Sequence, residues 1–458
     1  MSIASRAQTF TSLISFNRTN GAIPAFGALI QGIDGNLYGA TSEGGANAGG
    51  TLFKITGNGQ LTTFYSFCAQ TNCADGAGPM GGLVQAPSGD FYGTNYAAGT
   101  FSDGTVLKIT PNGELTTLHT FDGFDGALPN DTLVLATDGN LYGTTDTNGS
   151  HDRGTVFKLT PTGVLTTLHN FSGDPPAGMP STDGSNPFGL IQAASGEFYG
   201  LAGGGLFEDG VVFEIDAAGH GVSLHSFDGT DGVNPVNELV QATDGNFYGI
   251  TSAGGLNGVP GCPGEGGLGG GTILKITPGG VLTTLYSFAG SDGANPLGGL
   301  VQATDGNFYG TTVCGGLNND GTVFKITSNG ELTTLHSFAG SDGSLPFGTL
   351  VQATDGDFYG TTSQGGASND GKVFKLSGGL GAFVKTLPAS GRVGAGVRIL
   401  GTDLTGATAV TFNGIPSAFT VLSPSEITTT VPAGAITGTV QVVTPSATLS
   451  SSMPFVVP

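Results

Sequence analysis

The sequence predicts an all-β protein: a seven-bladed β-propeller closed by an N-terminal strand, followed by a small immunoglobulin-like β-sandwich. Three observations predict it. A unit of four short strands recurs from near the N-terminus to Ser377. One copy of its fourth strand stands alone ahead of the first unit, while the last unit lacks one. After Ser377 the pattern changes to alternating short strands with frequent turns. At 458 residues the chain is too long for one hydrophobic core. Glycine, at 84 residues, fits an architecture of many turns.

The clearest copy of the unit runs from Gly299 to Phe338, GGLVQATDGNFYGTTVCGGLNNDGTVFKITSNGELTTLHSF. Leu300–Thr304 and Asn307–Thr312 read as strands joined at Asp305-Gly306, and Thr322–Thr327 and Leu332–Phe338 as strands joined at Asn329-Gly330. Asp-Gly and Asn-Gly between β-branched and aromatic runs predict type I′ hairpins, because that turn needs two residues tolerant of positive φ. A four-stranded antiparallel meander cannot bury both faces alone, so copies must stack on one another.

Taking the chain in order, the second strand recurs seven times, at Tyr38, Tyr92, Tyr142, Tyr199, Tyr248, Tyr309 and Tyr359, each followed by glycine. The third strand also recurs seven times, from Thr51–Thr56 to Lys372–Ser377. The fourth follows a third strand only six times, ending at Phe67, Phe121, Phe171, Phe227, Phe288 and Phe338, and its seventh copy is Thr9–Phe16. A radial array must join its first and last sheets or leave two exposed edges. A strand lent by the N-terminus to the last blade closes such a ring, whereas an open solenoid needs capping repeats instead.

The repeated DGNxYGTT…GG…GTVFKIT…G pattern resembles the GloVer-type tandem repeat of bacterial "choice-of-anchor" surface proteins over about residues 9–377. The resemblance implies export and a propeller-like array, and it carries no catalytic residues over to this chain. It is not followed here by a sorting or anchoring tail. The later segments GTDLTGATAVTFNG and ITTTVPAGAITGTVQVVTP resemble the IPT/TIG type of immunoglobulin-like domain, commonly a spacer or interaction module. The expected organisation is an extension at 1–8, the propeller at 9–377, a linker at 378–381 and the sandwich at 382–458.

Charge narrows the function classes. The formal net charge is −21 and only 13 residues are Lys or Arg, scattered singly, which argues against a nucleic-acid partner. The beginning MSIASRAQTFTSLISF lacks a basic region followed by an apolar core, and no apolar run is long enough to span a bilayer. Four cysteines in pairable positions, Cys68 with Cys73 and Cys262 with Cys314, favour two disulfides, an oxidising compartment and an extracellular or cell-surface location. Four unrelated thiols are the other reading, since spacing does not fix connectivity. The chain is expected to be a monomer.

In an up-and-down blade, the first-to-second and third-to-fourth turns share one face, and the second-to-third loops and crossings share the other. All insertions, at Cys68–Pro79, Ser172–Pro187 and Ala253–Gly271, fall on the second face, which makes it the candidate ligand face. Each crossing ends in Asp-Gly-x-x-Pro, at Asp75, Asp125, Asp183, Asp231, Asp292 and Asp342, with Asn20 as the first-blade equivalent. Entering the innermost strand, these carboxylates could ring the axial pore. Calcium, which takes six to eight oxygen ligands, would then sit at Asp231, Asp292 and Asp342, beside the longest insertion. The competing reading, favoured by repetition in every blade, is that each aspartate closes an Asx-turn. Asp320 and Asp370, in the second-to-third loops of the last two blades, complete the candidate face and are again turn formers first.

Other repeated polar residues read as structural. The glutamines at 31, 85, 192, 241, 302 and 352, with Leu135 in the third blade, suit hydrogen bonds between blades better than a pore lining. Lys54, Lys108, Lys158, Lys275, Lys325 and Lys375, interrupted by Glu214, are expected near the outer rim with their amines in water. His119, His169, His225 and His336 are spread one per blade, so no zinc site is expected, and His151 and His220 have no sequence partner. No nucleophile elbow, Walker loop, HExxH or CxxC is present. Two functions remain: a binding or surface-display module for a glycan or protein, and an extracellular glycan hydrolase or lyase using paired carboxylates on the same face. Uniformity among blades favours binding, because catalysis needs unlike groups to converge.

Overall fold

The computed structural model describes residues 8–24, 27–172, 183–256 and 269–458. Among these, seven antiparallel sheets lie between Thr9 and Ser377, six of four strands and one of five. In the Gly299–Phe338 region the strands are Gly298–Gln302, Phe308–Thr312, Thr322–Ile326 and Leu332–Ser337, paired in that order. The second and third strands are buried on both faces, as stacked sheets require, and only the fourth is open to solvent along one side. Neighbouring sheets meet through the Tyr-Gly strand. Tyr142 packs on Phe198 of the next sheet with ring centroids 4.2 Å apart, and Tyr248 on Phe308 at 4.0 Å. The glycine after the tyrosine is required by close approach: a Cβ on Gly310 would lie 2.6 Å from the Phe324 ring.

The hairpin turns differ from the expected type I′. Gly306 N–H donates to Ala303 O and Ala303 N–H to Asn307 O, with φ positive at Gly306 alone. This is a type I turn followed by a left-handed glycine, so Asp305 keeps ordinary backbone geometry and uses its side chain. Its carboxylate accepts from Asn307 N–H, from the Tyr309 hydroxyl at 3.1 Å and from Lys325 Nζ at 2.9 Å. The same Asp, Tyr and Lys meet at residues 138, 142 and 158 and at 244, 248 and 275. The repeated lysines are therefore not outer-rim groups with amines in water. They reach the turn carboxylate across the tyrosine ring, with Lys325 Nζ 5.7 Å from the Tyr309 centroid. In the fourth sheet the trio is rewired: Ser195 replaces the aspartate, and Tyr199 donates to Glu214 at 2.8 Å.

Thr9–Ser15 pairs with Lys372–Ser377 and takes the fourth place in the last sheet. Phe16 N–H donates to Gly371 O just as Phe338 N–H donates to Gly321 O. Phe16, Leu29, Leu37 and Phe53 share one core cluster with Ala353, Tyr359 and Val373, so the last sheet packs on the first. The glutamines link sheets as well. Each carboxamide oxygen accepts a backbone N–H from the turn of the preceding sheet, from Ile33 to Gln85 at 2.9 Å and from Thr354 to Gln31 at 2.9 Å. Thr137, Ala194, Thr243 and Thr304 donate in the same way to Gln192, Gln241, Gln302 and Gln352. Between the second and third sheets both halves are missing together: Pro87 has no N–H to give, and Leu135 stands where the acceptor would be.

Beyond Ser377, two further four-stranded sheets enclose a separate core that includes Val397, Ile399, Val410, Phe412, Ile427 and Val442. This unit rests on the turns of the last and first repeat sheets. Phe383 N–H donates to Thr354 O at 3.0 Å, the Thr354 and Thr402 hydroxyls meet at 2.9 Å, and Ser425 Oγ donates to Ile33 O at 3.4 Å. Cys68 and Cys73 form a disulfide. Cys314 is also disulfide-bonded, and its expected partner Cys262 lies outside the described residues, as do most of the Ser172–Pro187 and Ala253–Gly271 insertions.

Candidate functional site

The crossing aspartates do not point to the axis. Asp231 bonds His225 at 2.7 Å and accepts from Asp228 N–H, and Asp342 bonds His336 at 2.9 Å and accepts from Ala339 N–H. Asp292 accepts from the Tyr286 hydroxyl and from Ala289 N–H. Each carboxylate thus accepts from the N–H three residues before it, rather than from a following N–H as in an Asx-turn, and ties the crossing to the outermost strand of the preceding sheet; His119–Asp125 and Tyr65–Asp75 repeat the side-chain pairing. Burial pushes Asp125 up, but the bonds from His119 and the Asp122 N–H outweigh it and hold its carboxyl below the usual range. At the seventh place Ile14 and Asn20 replace the pair together. Asp320 and Asp370 give backbone carbonyls to Leu345 N–H and Ile23 N–H, and Asp370 also meets Arg18 at 3.4 Å. Among the described residues, no three His, Cys, Asp or Glu side chains gather closely enough to hold a metal ion. His220, without a sequence partner, bonds Asp216 at 2.9 Å.

Unlike groups converge elsewhere. Where the innermost strands begin, most sheets carry only small residues: Gly27-Ala28, Gly81-Gly82, Gly298-Gly299 and Gly348-Thr349. These let backbones approach closely, as at Gly189, where a Cβ would lie 2.6 Å from Asn237 O. The third sheet instead has Asn130-Asp131-Thr132 and the fifth Asn237-Glu238. They line a cavity of about 290 Å³, together with Tyr96 and Asp146 from the ends of second strands. Met80, Phe188, Val236 and Leu297 supply its apolar walls.

Hydrogen bonds hold the carboxyls in place. Asp131 Oδ2 accepts from Gly189 N–H at 2.7 Å and from Thr144 Oγ1 at 2.9 Å. The Thr132 hydroxyl, which accepts from Gly82 N–H at 3.0 Å, also bonds Glu238. Asn237 is anchored through its side-chain amide to Leu297 O at 2.9 Å, and its Oδ1 accepts from Glu238 N–H at 2.9 Å. Burial pushes Asp131 up to about 6, with the Asp146 charge adding to it. Burial and the Asp131 charge push Glu238 up to about 7. Burial also raises Asp146, against a bond from Asn186. Asn130 Oδ1 is buried and has no hydrogen-bond partner. Among the described lining residues none is Lys, Arg or His.

Sequence reasoning missed Asp131, Asp146 and Glu238 because it followed carboxylates that repeat. The signal was the opposite one, an acid where no other repeat has one: Glu238 at a position that is otherwise glycine, alanine or threonine, Asp131 where four other repeats have glycine, and Asp146 where the others have Ser, Tyr, Gly or Val.

The fold is all-β and built of repeated, propeller-like sheets, and among the described residues this cavity gathers polar groups that the other repeats lack. The chain belongs to the Gloeobacter/Verrucomicrobia repeat family, whose model matches residues 1–180 and 261–415. No curated protein matches it. Among solved structures it is similar to the extracellular domain of a protein assigned as a hybrid two-component system of B. thetaiotaomicron. The TM-score is 0.52 at 14% identity, covering 94% of this chain and 52% of that one, so this chain spans about half the length of the domain it matches. A protein assigned as a 6-phosphogluconolactonase from Bacteroides uniformis aligns at TM-score 0.45 and 16% identity over 71% of this chain and 88% of that one. A gluconolactonase from Xanthomonas campestris aligns at 0.42 and 12% over 81% and 90%. No helix of the described residues is long and apolar enough to cross a membrane.

Proposed function

We propose that the chain is an exported binding module: a seven-bladed propeller closed by Thr9–Phe16, with an IPT/TIG-like immunoglobulin domain behind it. It takes its ligand at the axial cavity on the loop-rich face. The observation that carries this reading is the broken repeat symmetry at Asp131 and Glu238. Groups shared by every repeat serve folding, whereas these two occur once each and sit against a cavity, with protonation equilibria displaced by burial. The disulfide at Cys68–Cys73 supports an oxidising, extracellular setting. Calcium remains a candidate ligand of the crossing aspartates only if their turn bonds are exchanged for metal bonds, and a thermal shift with added Ca²⁺ would reveal it.

A second reading has a specific observation in its favour. Two carboxyls with raised and unequal proton affinities are the pattern of a glycan hydrolase or lyase. Binding is preferred because the cavity is the size of one small ring, and a hydrolase needs room on both sides of a scissile bond. The test is a glycan-array and reducing-sugar screen on the whole chain and on Val236→Trp, which fills the cavity. Binding lost in a folded Val236→Trp protein, with no sugar released, is the expected result. Release of reducing sugar selects the enzyme, and binding unaffected by the tryptophan rejects the cavity.

A further inference from the structure

The chemistry lining the cavity identifies a class of ligand. Its titratable groups are Tyr96, Asp131, Asp146 and Glu238, three of them carboxyls, and no basic side chain among the described lining residues neutralises them. Asp131 and Glu238 come from different sheets and are held by bonds from Gly189 N–H, Thr144 and Thr132. Partly buried carboxylates that face no basic side chain favour a positively charged partner, and burial raises their proton affinity for the same reason. Beside them the lining carries uncharged polar residues, Asn130, Thr132 and Asn237. A ligand answering both brings one positive charge and separate hydrogen-bond donors. Met80, Phe188, Val236 and Leu297 make part of the lining apolar, which suits the C–H face of a saturated ring. A volume of about 290 Å³ lies at the lower end of the range for small-molecule sites, which limits the ligand to about one such ring.

We propose that the cavity binds a single amino sugar, its ammonium held by the Asp131 and Glu238 carboxylates and its ring hydroxyls bonding the uncharged polar lining. The inference rests on the cavity being the binding site, as argued above. A neutral sugar leaves the carboxylates unpaired and an acidic one repels them. A simple alkylamine leaves the uncharged polar lining without partners. An ammonium competes with protons for these carboxylates, so the affinity falls on acidification while the ligand keeps its charge.

Calorimetric titration of the full chain with glucosamine and with glucose decides it, because the two differ only in an ammonium for a hydroxyl. The expected result is glucosamine bound at least about tenfold more tightly than glucose near pH 7, with that preference reduced by about tenfold at pH 5. The double variant Asp131→Asn, Glu238→Gln keeps the shape and should lose the preference. Equal binding of both sugars, abolished by Val236→Trp, would overturn the ammonium assignment and leave the cavity standing. Glucosamine binding indifferent to both variants would overturn the cavity as well. No heat with glucosamine up to about ten millimolar would overturn the amino-sugar class, while the array screen still reports separately on the cavity.

Discussion

At the scale of single residues, Asp131 and Glu238 are where stability and function pull apart. Both have folded proton affinities above those of unfolded carboxyls, at about 6 and about 7. A raised folded pKa contributes stability that is fully present below the unfolded value, near pH 4, and is lost as the pH rises through the folded value. The wild-type protein should therefore lose stability between about pH 4 and pH 7, on the order of 2 kcal/mol per group. Asp131→Asn with Glu238→Gln should flatten that slope, raising the melting temperature at pH 8 and leaving it nearly unchanged at pH 4. Equal shifts at both pH values would mean that ionisation is not what strains the site. A second residue-scale test uses the missing link between the second and third sheets. Pro87→Thr together with Leu135→Gln recreates the bond found at Thr137 and Gln192, and should show a favourable coupling of about 1 kcal/mol in a double-mutant cycle. Additive single effects would show that the glutamines do not link sheets in solution.

At the scale of elements, the Thr9–Ser15 strand supplies the outer edge of the last sheet and, through Phe10 and Phe16, part of two cores. Deleting residues 1–17 exposes the Lys372–Ser377 edge and removes Phe16 from a fully buried position, which costs several kcal/mol by itself. The truncated chain should aggregate or melt well below the parent, and a monomer with an unchanged melting temperature would refute the shared sheet. This element was legible in the sequence because a displaced strand copy has an arithmetic signature. Strand identities were equally legible, since two-sided burial demands apolar runs such as TVFKI wherever a sheet stacks on its neighbours. The turns were half legible. Asp-Gly located them, but the preference for glycine alone at positive φ comes from freeing the aspartate to hold tyrosine and lysine, and those partners lie across the sheet, outside any local window. The crossing aspartates misled for the same reason. Their histidine and tyrosine partners sit six residues back, on the outermost strand, which draws the carboxylates away from the axis. The cavity was legible only as an exception within the repeat, at Asp131 and Glu238, and its depth depends on glycines whose packing no local pattern reports.

At the scale of the whole molecule, the position of the C-terminal unit gives it a task beyond spacing. It touches the repeat sheets where the chain's two ends meet. Thr354, on the last sheet's turn, accepts from Phe383 N–H, shares a hydrogen bond with Thr402, and donates its own N–H to Gln31 of the first sheet. Ser425 reaches the first sheet's turn at Ile33. Lys385 is enclosed between the two units, with Nζ 2.6 Å from Gln352 O, and burial pulls its ammonium down to about 8 against the Asp355 charge. Every sheet runs into the next through a covalent crossing, residues 16–21 included, but Thr9–Ser15 is held to the rest of the last sheet by strand pairing and packing alone. A clasp placed there stabilises the contact with the least chain connectivity, as a non-covalent closure must be held by contacts alone. Ending the chain after Ser377 should therefore lower the melting temperature by more than the loss of an independent domain predicts. Hydrogen exchange should rise first at Thr9–Ser15 and at the Gln31–Thr354 bond, and later in the sheets between. If the truncated protein exchanges as the parent does at both places, the C-terminal unit is a passive spacer and the closure holds without it.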